Sequence, residues 1–229
     1  MIEIDNTDYN QYIDLIGTAH FTRRSLNDAY EAIKLSKPTD VAIELDWRRF
    51  RLLNATCVSC PKRGSCMGIC EFIGATDALG NVNANIWLID MSENEIRQRI
   101  RRRMTPFERT RIVLPRYYLS NEDPVWLWEM GYKDRVINNS KRKIEYLREI
   151  SPVWEVLIDE RNALMAARLA WIAHNYREIH SKILAFVGAA HVEGIKNLLG
   201  NPVLIKENFR RSNISFTEPK LIRRVAITS

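Results

Sequence analysis

Two of the four histidines in this 229-residue chain lie in matching turns. Gly-Thr-Ala-His runs from Gly17 to His20, and Gly-Ala-Ala-His runs from Gly188 to His191. Each turn follows a short apolar segment that is typical of a buried strand, so both histidines are expected at the carboxyl ends of strands, where open parallel sheets bind ligands. Each histidine alone would fit a helix cap or a polar niche, but the repetition favours one shared metal site.

Glu44 is the acidic residue best suited to join the two histidines. It lies within the apolar stretch 41–45, where a carboxylate is costly unless it is paired or binds a cation. Two histidines and a glutamate form a typical catalytic metal set, which leaves a position for water and allows a second carboxylate to act as general base. Asp46 and Asp90 also follow strands, and we interpret both as caps of the next helix.

The elements that must position these residues alternate between strands and helices. This order predicts an α/β fold, a mostly parallel β-sheet flanked by helices, in a single domain over 1–229. Ser25 and Ser92 are predicted to cap helices, and a long helical insertion is expected from about 92 to 177. Strands are predicted at 12–16, 41–45, 86–89 and 183–187, with edge strands at 203–205 and 222–227.

All four cysteines fall in one short loop, 57–70. Cys57, Cys60, Cys66 and Cys70 suit tetrahedral zinc or a [4Fe–4S] cluster, and two disulfides are the third interpretation. In each case the cysteines staple a loop that has little core of its own. The loop lies between Glu44 and Glu71, so it is also expected to shape the rim of the site.

A basic run covers Arg97, Arg99 and 101–103, in a chain with 34 Lys and Arg against 28 Asp and Glu. Ile96, Ile100, Met104 and Phe107 recur through it at helical spacing, which favours the solvated face of an amphipathic helix over a nucleic-acid surface. Tryptophans at 126, 128, 154 and 171 are interpreted as core or subunit-interface residues, which allows a homodimer through the insertion.

Apolar runs in the sequence are too short for a membrane span, since none reaches 18 residues. The first ten residues carry no basic segment followed by an apolar one, as a secretory signal would. We therefore expect a cytoplasmic protein without a membrane span.

Four segments of the chain carry a family resemblance: 15–50, 86–108, VLIDERNALMAARL (156–169) and ILAFVGAAHVEGI (183–195). They resemble the TraB/PrgY family, which is related to the TIKI proteases and to ChaN/EreA-like proteins. The resemblance implies an α/β fold and a metal-dependent hydrolase that acts on peptides. Many members continue into a hydrophobic membrane domain that is not found here, and the cysteine loop is not part of the family pattern.

The family's motif residues correspond here to His20, Glu44 and His191, with Glu71 and the Glu160-Arg161 pair as further matches. The resulting hypothesis is a hydrolase in which the two histidines and Glu44 hold manganese, cobalt or zinc. Glu71 or Glu160 would activate water, and Arg161 would stabilise the oxyanion. The alternative is a non-enzymatic protein that binds a peptide or signal in the same pocket, or nucleic acid through the basic helix.

Overall fold

A computed structural model describes residues 4–20, 22–57, 78, 84–108, 124–138, 151–176 and 182–222. The strands are β1 (Ile13–Thr18), β2 (Asp40–Ile43), β3 (Asn85–Leu88), β4 (Ile183–Gly188) and β5 (Lys220–Ile222). They form one sheet in the order β1-β4-β2-β3-β5, in which only β5 runs antiparallel. The predicted α/β fold with a mostly parallel sheet flanked by helices is confirmed.

Within the described residues, the helices with defined bounds are α1 (Arg23–Ser36), α2 (Trp47–Cys57), α3 (Glu93–Arg103), α4 (Pro124–Glu129), α5 (Ser151–Trp154), α6 (Arg161–Tyr176), α7 (Val192–Gly200) and α8 (Pro202–Ser212), and residues 106–108 and 133–138 are also helical. A 3-10 turn at Tyr9–Gln11 precedes β1, and a π-helical segment, Glu155–Glu160, joins α5 to α6. The described parts of the region predicted as a helical insertion are thus largely helical. None of the described helices is long and apolar enough to cross a membrane.

Helix α1 begins one turn earlier than predicted. Thr22, not Ser25, is its N-cap, and the Thr22 side chain accepts a hydrogen bond from the Ser25 amide at 3.1 Å. The Ser25 hydroxyl instead accepts from the amide of Ala19 at 3.0 Å, which ties the first turn to the helix that follows it. At the far end Lys37 adopts the left-handed conformation, with φ 44°, directly before Pro38. The predicted cap at Ser92 is confirmed, with Glu95 N–H as its donor.

The edge strand predicted at 203–205 is wrong. Those residues lie in α8, where Pro202 occupies the first turn and Ile205 and Phe209 are buried in the core. Proline is well suited to a helix start because no amide hydrogen is needed there. The other predicted edge strand is present as β5, which begins two residues earlier, at Lys220; residues 223–229 lie outside the described part.

Two apolar layers cover the two faces of the sheet. Ala42, Trp87 and Ala185 face α6, α7 and α8, whereas Val41, Ile43, Leu184 and Phe186 belong to a second cluster with residues of α1 and α2. This alternation follows from the period of two along a strand. Helix α6 is buried over most of its length, which fixes the position of its first residues, Arg161 and Asn162, relative to the sheet.

The tryptophans divide between core and surface. Trp128 is buried, and Trp171 packs edge-on against Trp87 with ring centroids 6.2 Å apart. Trp126 is 54% exposed, so it is not a core residue. Trp154 is half-buried.

Candidate active site

Four polar residues follow the carboxyl ends of the four parallel strands. His20, His191, Glu44 and Asp90 come after β1, β4, β2 and β3, which is also their order across the sheet. The register pairs Gly17 with Val187 and Ile43 with Phe186, so the strand ends are nearly level. The sheet therefore delivers all four side chains to one edge, the edge at which parallel sheets bind ligands.

The structure brings together the three residues of the predicted metal set. The Oε1 atom of Glu44 lies 3.8 Å from Nε2 of His20 and 3.6 Å from Nε2 of His191. Glu44 and His191 are buried, whereas 29% of the His20 side chain is exposed. His20 therefore marks the side from which a ligand can enter.

Gly188, the first residue of the second turn, lies in contact with this group. Its amide donates a hydrogen bond to Glu44 Oε2 at 2.6 Å. A Cβ at this position would lie 2.8 Å from His20 Nε2 and 3.4 Å from Glu44 Oε2, closer to the histidine than packing allows. Glycine is thus needed here because the backbone forms one wall of the site.

The guanidinium of Arg161 lies between two carboxylates and one histidine. Its Nε donates to Asp90 Oδ1 at 2.9 Å and its Nη2 to Asp90 Oδ2 at 2.8 Å. Nη2 also donates to Glu44 Oε1, and Nη1 lies 3.1 Å from His191 Nε2. These contacts hold Glu44 and His191 in place, and the stabilisation of an oxyanion by Arg161 stays a prediction.

The interpretation of Asp90 as a helix cap is wrong, because Ser92 caps α3 and Asp90 binds Arg161 and Arg49. Burial raises the pKa of Asp90, but the two guanidiniums outweigh burial and hold that pKa well below its usual range. The interpretation of Asp46 is confirmed, since its Oδ1 accepts from the amides of Arg48 and Arg49 at the start of α2, at 2.8 and 3.1 Å.

Asn162 is a neighbour of His191 that sequence reasoning missed. Its Oδ1 lies 2.6 Å from His191 Nδ1, and both side chains are buried. Burial lowers the pKa of His191, and the nearby Glu44 does not reverse this, so the imidazole is neutral at physiological pH. A signal was present in the sequence: Asn162 is a polar residue inside a long apolar helical stretch, where it needs a buried partner.

Glu160 does not join this group through any hydrogen bond or ion pair seen in the described residues. Its side chain is buried against α3, where it accepts from Arg99 Nη1 at 3.2 Å and forms an ion pair with Arg103. Burial raises its pKa despite those two arginines. Glu71, Cys60, Cys66 and Cys70 lie outside the described residues, as does the side chain of Cys57, the last residue of α2.

Only part of the basic run forms the outer face of α3: Arg97, Arg101 and Arg102 are exposed, whereas Arg99 and Arg103 are half-buried and pair with Glu160. Arg97 forms an ion pair with Glu93, and Arg99 with Glu95, each one helical turn away. Ile96 and Ile100 are half-buried and Met104 is buried, as the amphipathic interpretation requires. Phe107 is the exception, because α3 ends at Arg103 and leaves this ring 71% exposed.

Within the described ranges, no group of three or more His, Cys, Asp or Glu side chains is arranged as a metal centre. The donor atoms of the Glu44 group nevertheless fit a divalent ion in kind, since they are two imidazole nitrogens and one carboxylate. Arg161 binds the same Glu44 oxygen, so an ion here would share that carboxylate with the guanidinium.

No family model matches the chain. An uncharacterized protein of Methanocaldococcus jannaschii is 30% identical to it over an alignment of 244 residues, gaps included. The alignment covers 88% of this chain and 59% of that protein. The chain thus spans less than two thirds of the length of this relative. This relative is uncharacterized, so the similarity assigns no function to the chain.

Proposed function

We propose that this chain is a metal-dependent hydrolase whose site is built on Glu44, His20 and His191. The observation that carries the proposal is the approach of both histidine Nε2 atoms, at 3.8 and 3.6 Å, to one oxygen of a buried carboxylate. These donors come from three separate strand ends of one sheet edge. A packing role for a single histidine would not require a second one beside the same carboxylate.

His20, His191 and Glu44 would hold the ion, for which manganese, cobalt and zinc are the candidates. Such an ion, when bound, lowers the pKa of a coordinated water and so supplies a nucleophile at neutral pH. Glu44 is ionised for this role: burial raises its pKa, but the adjacent Arg161 guanidinium, together with any proton that the two imidazoles carry, outweighs burial and lowers it. Gly188 fixes the other carboxylate oxygen through its amide.

Peptides, or another small molecule with a hydrolysable bond, are the proposed substrates. Support for peptides comes from the resemblance of the paired turns and of the Glu160-Arg161 segment to the TraB/PrgY family and its protease relatives. Among the described residues of the site, His20 is the one whose side chain is partly exposed to such a substrate.

Metal stoichiometry tests the ion site directly. Wild-type protein and the double variant His20→Ala/His191→Ala are purified identically, and their metal contents are compared by mass spectrometry, so that any ion at the cysteines cancels. We expect the double variant to lose one equivalent, and the control His174→Ala, on the surface of α6, to lose none. Equal metal content in the wild type and the double variant would exclude the mechanism.

Hydrolysis is tested with a mixed peptide library and product detection by mass spectrometry. Glu44→Gln keeps the size of the side chain but removes its charge, and we expect a loss of at least about 100-fold in rate, as for other charged groups of an active site. Peptide binding without cleavage by metal-loaded wild-type protein would favour the non-enzymatic alternative.

A further inference from the structure

The contact between Asn162 and His191 carries an inference about how the site is prepared. We propose that Asn162 is a positioning residue that holds His191 as the tautomer protonated on Nδ1, with the unprotonated Nε2 facing Glu44. The proposal rests on the proposed function only in that Nε2 is taken as the working atom of His191. The contact itself is independent of any substrate or metal.

The hydrogen-bonding chemistry on the Nδ1 side of His191 determines which atom carries the proton. Nδ1 of His191 lies 2.6 Å from Oδ1 of Asn162, within a buried pair. An amide oxygen can only accept a hydrogen bond, so the imidazole must be the donor in this contact. A neutral imidazole carries one proton, and Nε2 is then left as an acceptor.

The contact of Arg161 on the opposite side of the His191 ring independently favours the same tautomer. Nη1 of Arg161 lies 3.1 Å from Nε2 of His191, and a guanidinium has only donors to offer. A proton on Nε2 would place one N–H against another N–H in a buried space. Arg161 and Asn162 therefore select the same tautomer from two sides of the imidazole.

Gly194 leaves the space that the Asn162 side chain occupies. A Cβ on Gly194 would lie 2.2 Å from Nδ2 and 3.1 Å from Cγ of Asn162. Glycine in the first half of a helix such as α7 is unfavourable compared with alanine, so its presence calls for a reason. The reason in this structure is space: the backbone of α7 leaves room for the amide that holds His191.

A matching sequence relationship follows from these contacts. Residue 162 is the second residue of α6, residue 191 ends the second turn, and residue 194 lies three positions further, in α7. The three residues form one unit in which a glycine admits an asparagine and the asparagine orients a histidine. In metalloproteins, such partners of a histidine ligand fix its ring, and their loss typically lowers metal affinity about 10–100-fold.

The test is the tautomer of His191, read by nitrogen-15 NMR of metal-free full-length protein at a fixed pH of about 8, where histidine is neutral. His191→Gln identifies the resonances by their disappearance. In the wild type we expect the Nδ1 shift of a protonated nitrogen and the Nε2 shift of an unprotonated one. The proposal is overturned if the wild type shows the proton on Nε2.

Variants separate positioning from simple packing. Asn162→Ala leaves the buried Nδ1 proton without its acceptor, which offsets the preference set by Arg161, so it should give a mixture of tautomers. Asn162→Asp, which keeps an acceptor in place, should restore the wild-type shifts. Gly194→Ala should reproduce the effect of Asn162→Ala by displacing the Asn162 side chain without replacing it. Asn175→Ala, at an exposed asparagine of the same helix, is the control and should change nothing. Wild-type shifts in both Asn162→Ala and Gly194→Ala would overturn the proposal.

Metal affinity is the second measurement, made with manganese, cobalt and zinc salts. We expect Asn162→Ala to weaken binding about 10–100-fold and Asn162→Asp to recover most of it. If wild-type protein binds none of these ions, the proposed function fails while the tautomer result still decides the role of Asn162. If Asn162→Ala does not fold, the wild-type spectrum and Gly194→Ala remain decisive.

Discussion

Arg161 holds Asp90 through two parallel hydrogen bonds, Nε to Oδ1 at 2.9 Å and Nη2 to Oδ2 at 2.8 Å. This bidentate pair fixes the plane of the guanidinium and joins the first residue of α6 to the end of β3. The nitrogens Nη1 and Nη2 are thereby directed at His191 and Glu44. The positions of Glu44 and His191 thus depend on Asp90, although the Asp90 carboxylate forms no hydrogen bond with either of them.

The first prediction concerns Asp90→Asn, which keeps the shape of the side chain and removes its charge. Arg161 and Arg49 would each lose a buried ionic partner, and we expect the free energy of unfolding to fall by about 3–5 kcal/mol. Urea denaturation measures this change. Asp14→Asn is the control, because Asp14 is half exposed and its pair with Lys182 lies on the surface; it should cost less than about 1 kcal/mol. Equal losses in the two variants would contradict the role given to Asp90.

The second prediction concerns Gly188→Ala. The new Cβ would meet the end of the His20 ring at 2.8 Å, and this ring is partly exposed, so it can turn outward. We therefore expect stability to change by less than about 1.5 kcal/mol, within the ordinary range for single substitutions. Metal affinity should nevertheless fall at least about 10-fold, because the His20 nitrogen would leave Glu44.

Gly200→Ala is the matched control for that experiment. Its Cβ, at the end of α7, would approach the side-chain amide of Asn10 at 3.1 Å and Asp8 Oδ1 at 3.9 Å. Calorimetric titration of both variants with the same metal salt compares them. A Gly188→Ala protein that binds metal as tightly as Gly200→Ala would show that His20 is not a ligand.

The third prediction is a two-step loss of stability in acid. Since burial lowers the pKa of His191 in the folded state, the unfolded state binds its proton first, and stability falls as the pH drops below about 6.5. The pKa values of Glu44 and Asp90 are also lowered, so their contribution is present above about pH 4 and is lost below it.

Unfolding free energies of chelator-treated protein at several pH values check this prediction. His191→Gln should remove the loss between about pH 6.5 and 4, which amounts to at most about 1.4 kcal/mol per pH unit, and keep the steeper loss below it. His174→Gln, which alters a partly exposed histidine of α6, should keep both steps. A wild-type curve that is flat from pH 7 to pH 4.5 would contradict the depressed pKa of His191.

The proximity of His20, Glu44 and His191 could be predicted from the sequence alone, and the reason is physical. Parallel strands place their carboxyl ends at one edge, so residues that follow predicted strands meet even when they are 171 positions apart, as His20 and His191 are. The chemistry of a carboxylate in an apolar strand then singled out Glu44. The turns and the four parallel strands could also be predicted, because short apolar runs indicate buried strands locally.

The roles of Asp90 and Asn162 could not be predicted in this way. An acid after a strand can cap a helix or bind an arginine, and the choice depends on what packs opposite, which for Asp90 is the start of α6, more than 70 positions away. The strand predicted at 203–205 failed for a related reason. Three apolar residues fit a short strand and a helix equally well, and burial of Ile205 and Phe209 on one face of α8 decided between them.

The last prediction tests the layer that covers the two turns. A small cluster packs against one alanine of each turn; it consists of Leu127, Trp128 and Val136. Ala19 lies directly before His20 in the first turn, and Ala189 lies two residues before His191 in the second. Removing the buried indole in Trp128→Ala leaves a cavity beside both turns, and we expect a loss of about 3–5 kcal/mol in the free energy of unfolding.

Trp126→Ala is the internal control, because this ring belongs to the same short helix, α4, but is half exposed. It should cost about 1 kcal/mol or less, since surface substitutions away from packed contacts have small effects. Both variants are compared by urea denaturation and by metal titration. Because Trp128 supports both turns, its removal should also weaken metal binding, whereas loss of the Trp126 ring should not. A Trp128→Ala protein with reduced stability and unchanged metal affinity would mean that the turns keep their geometry without this cover.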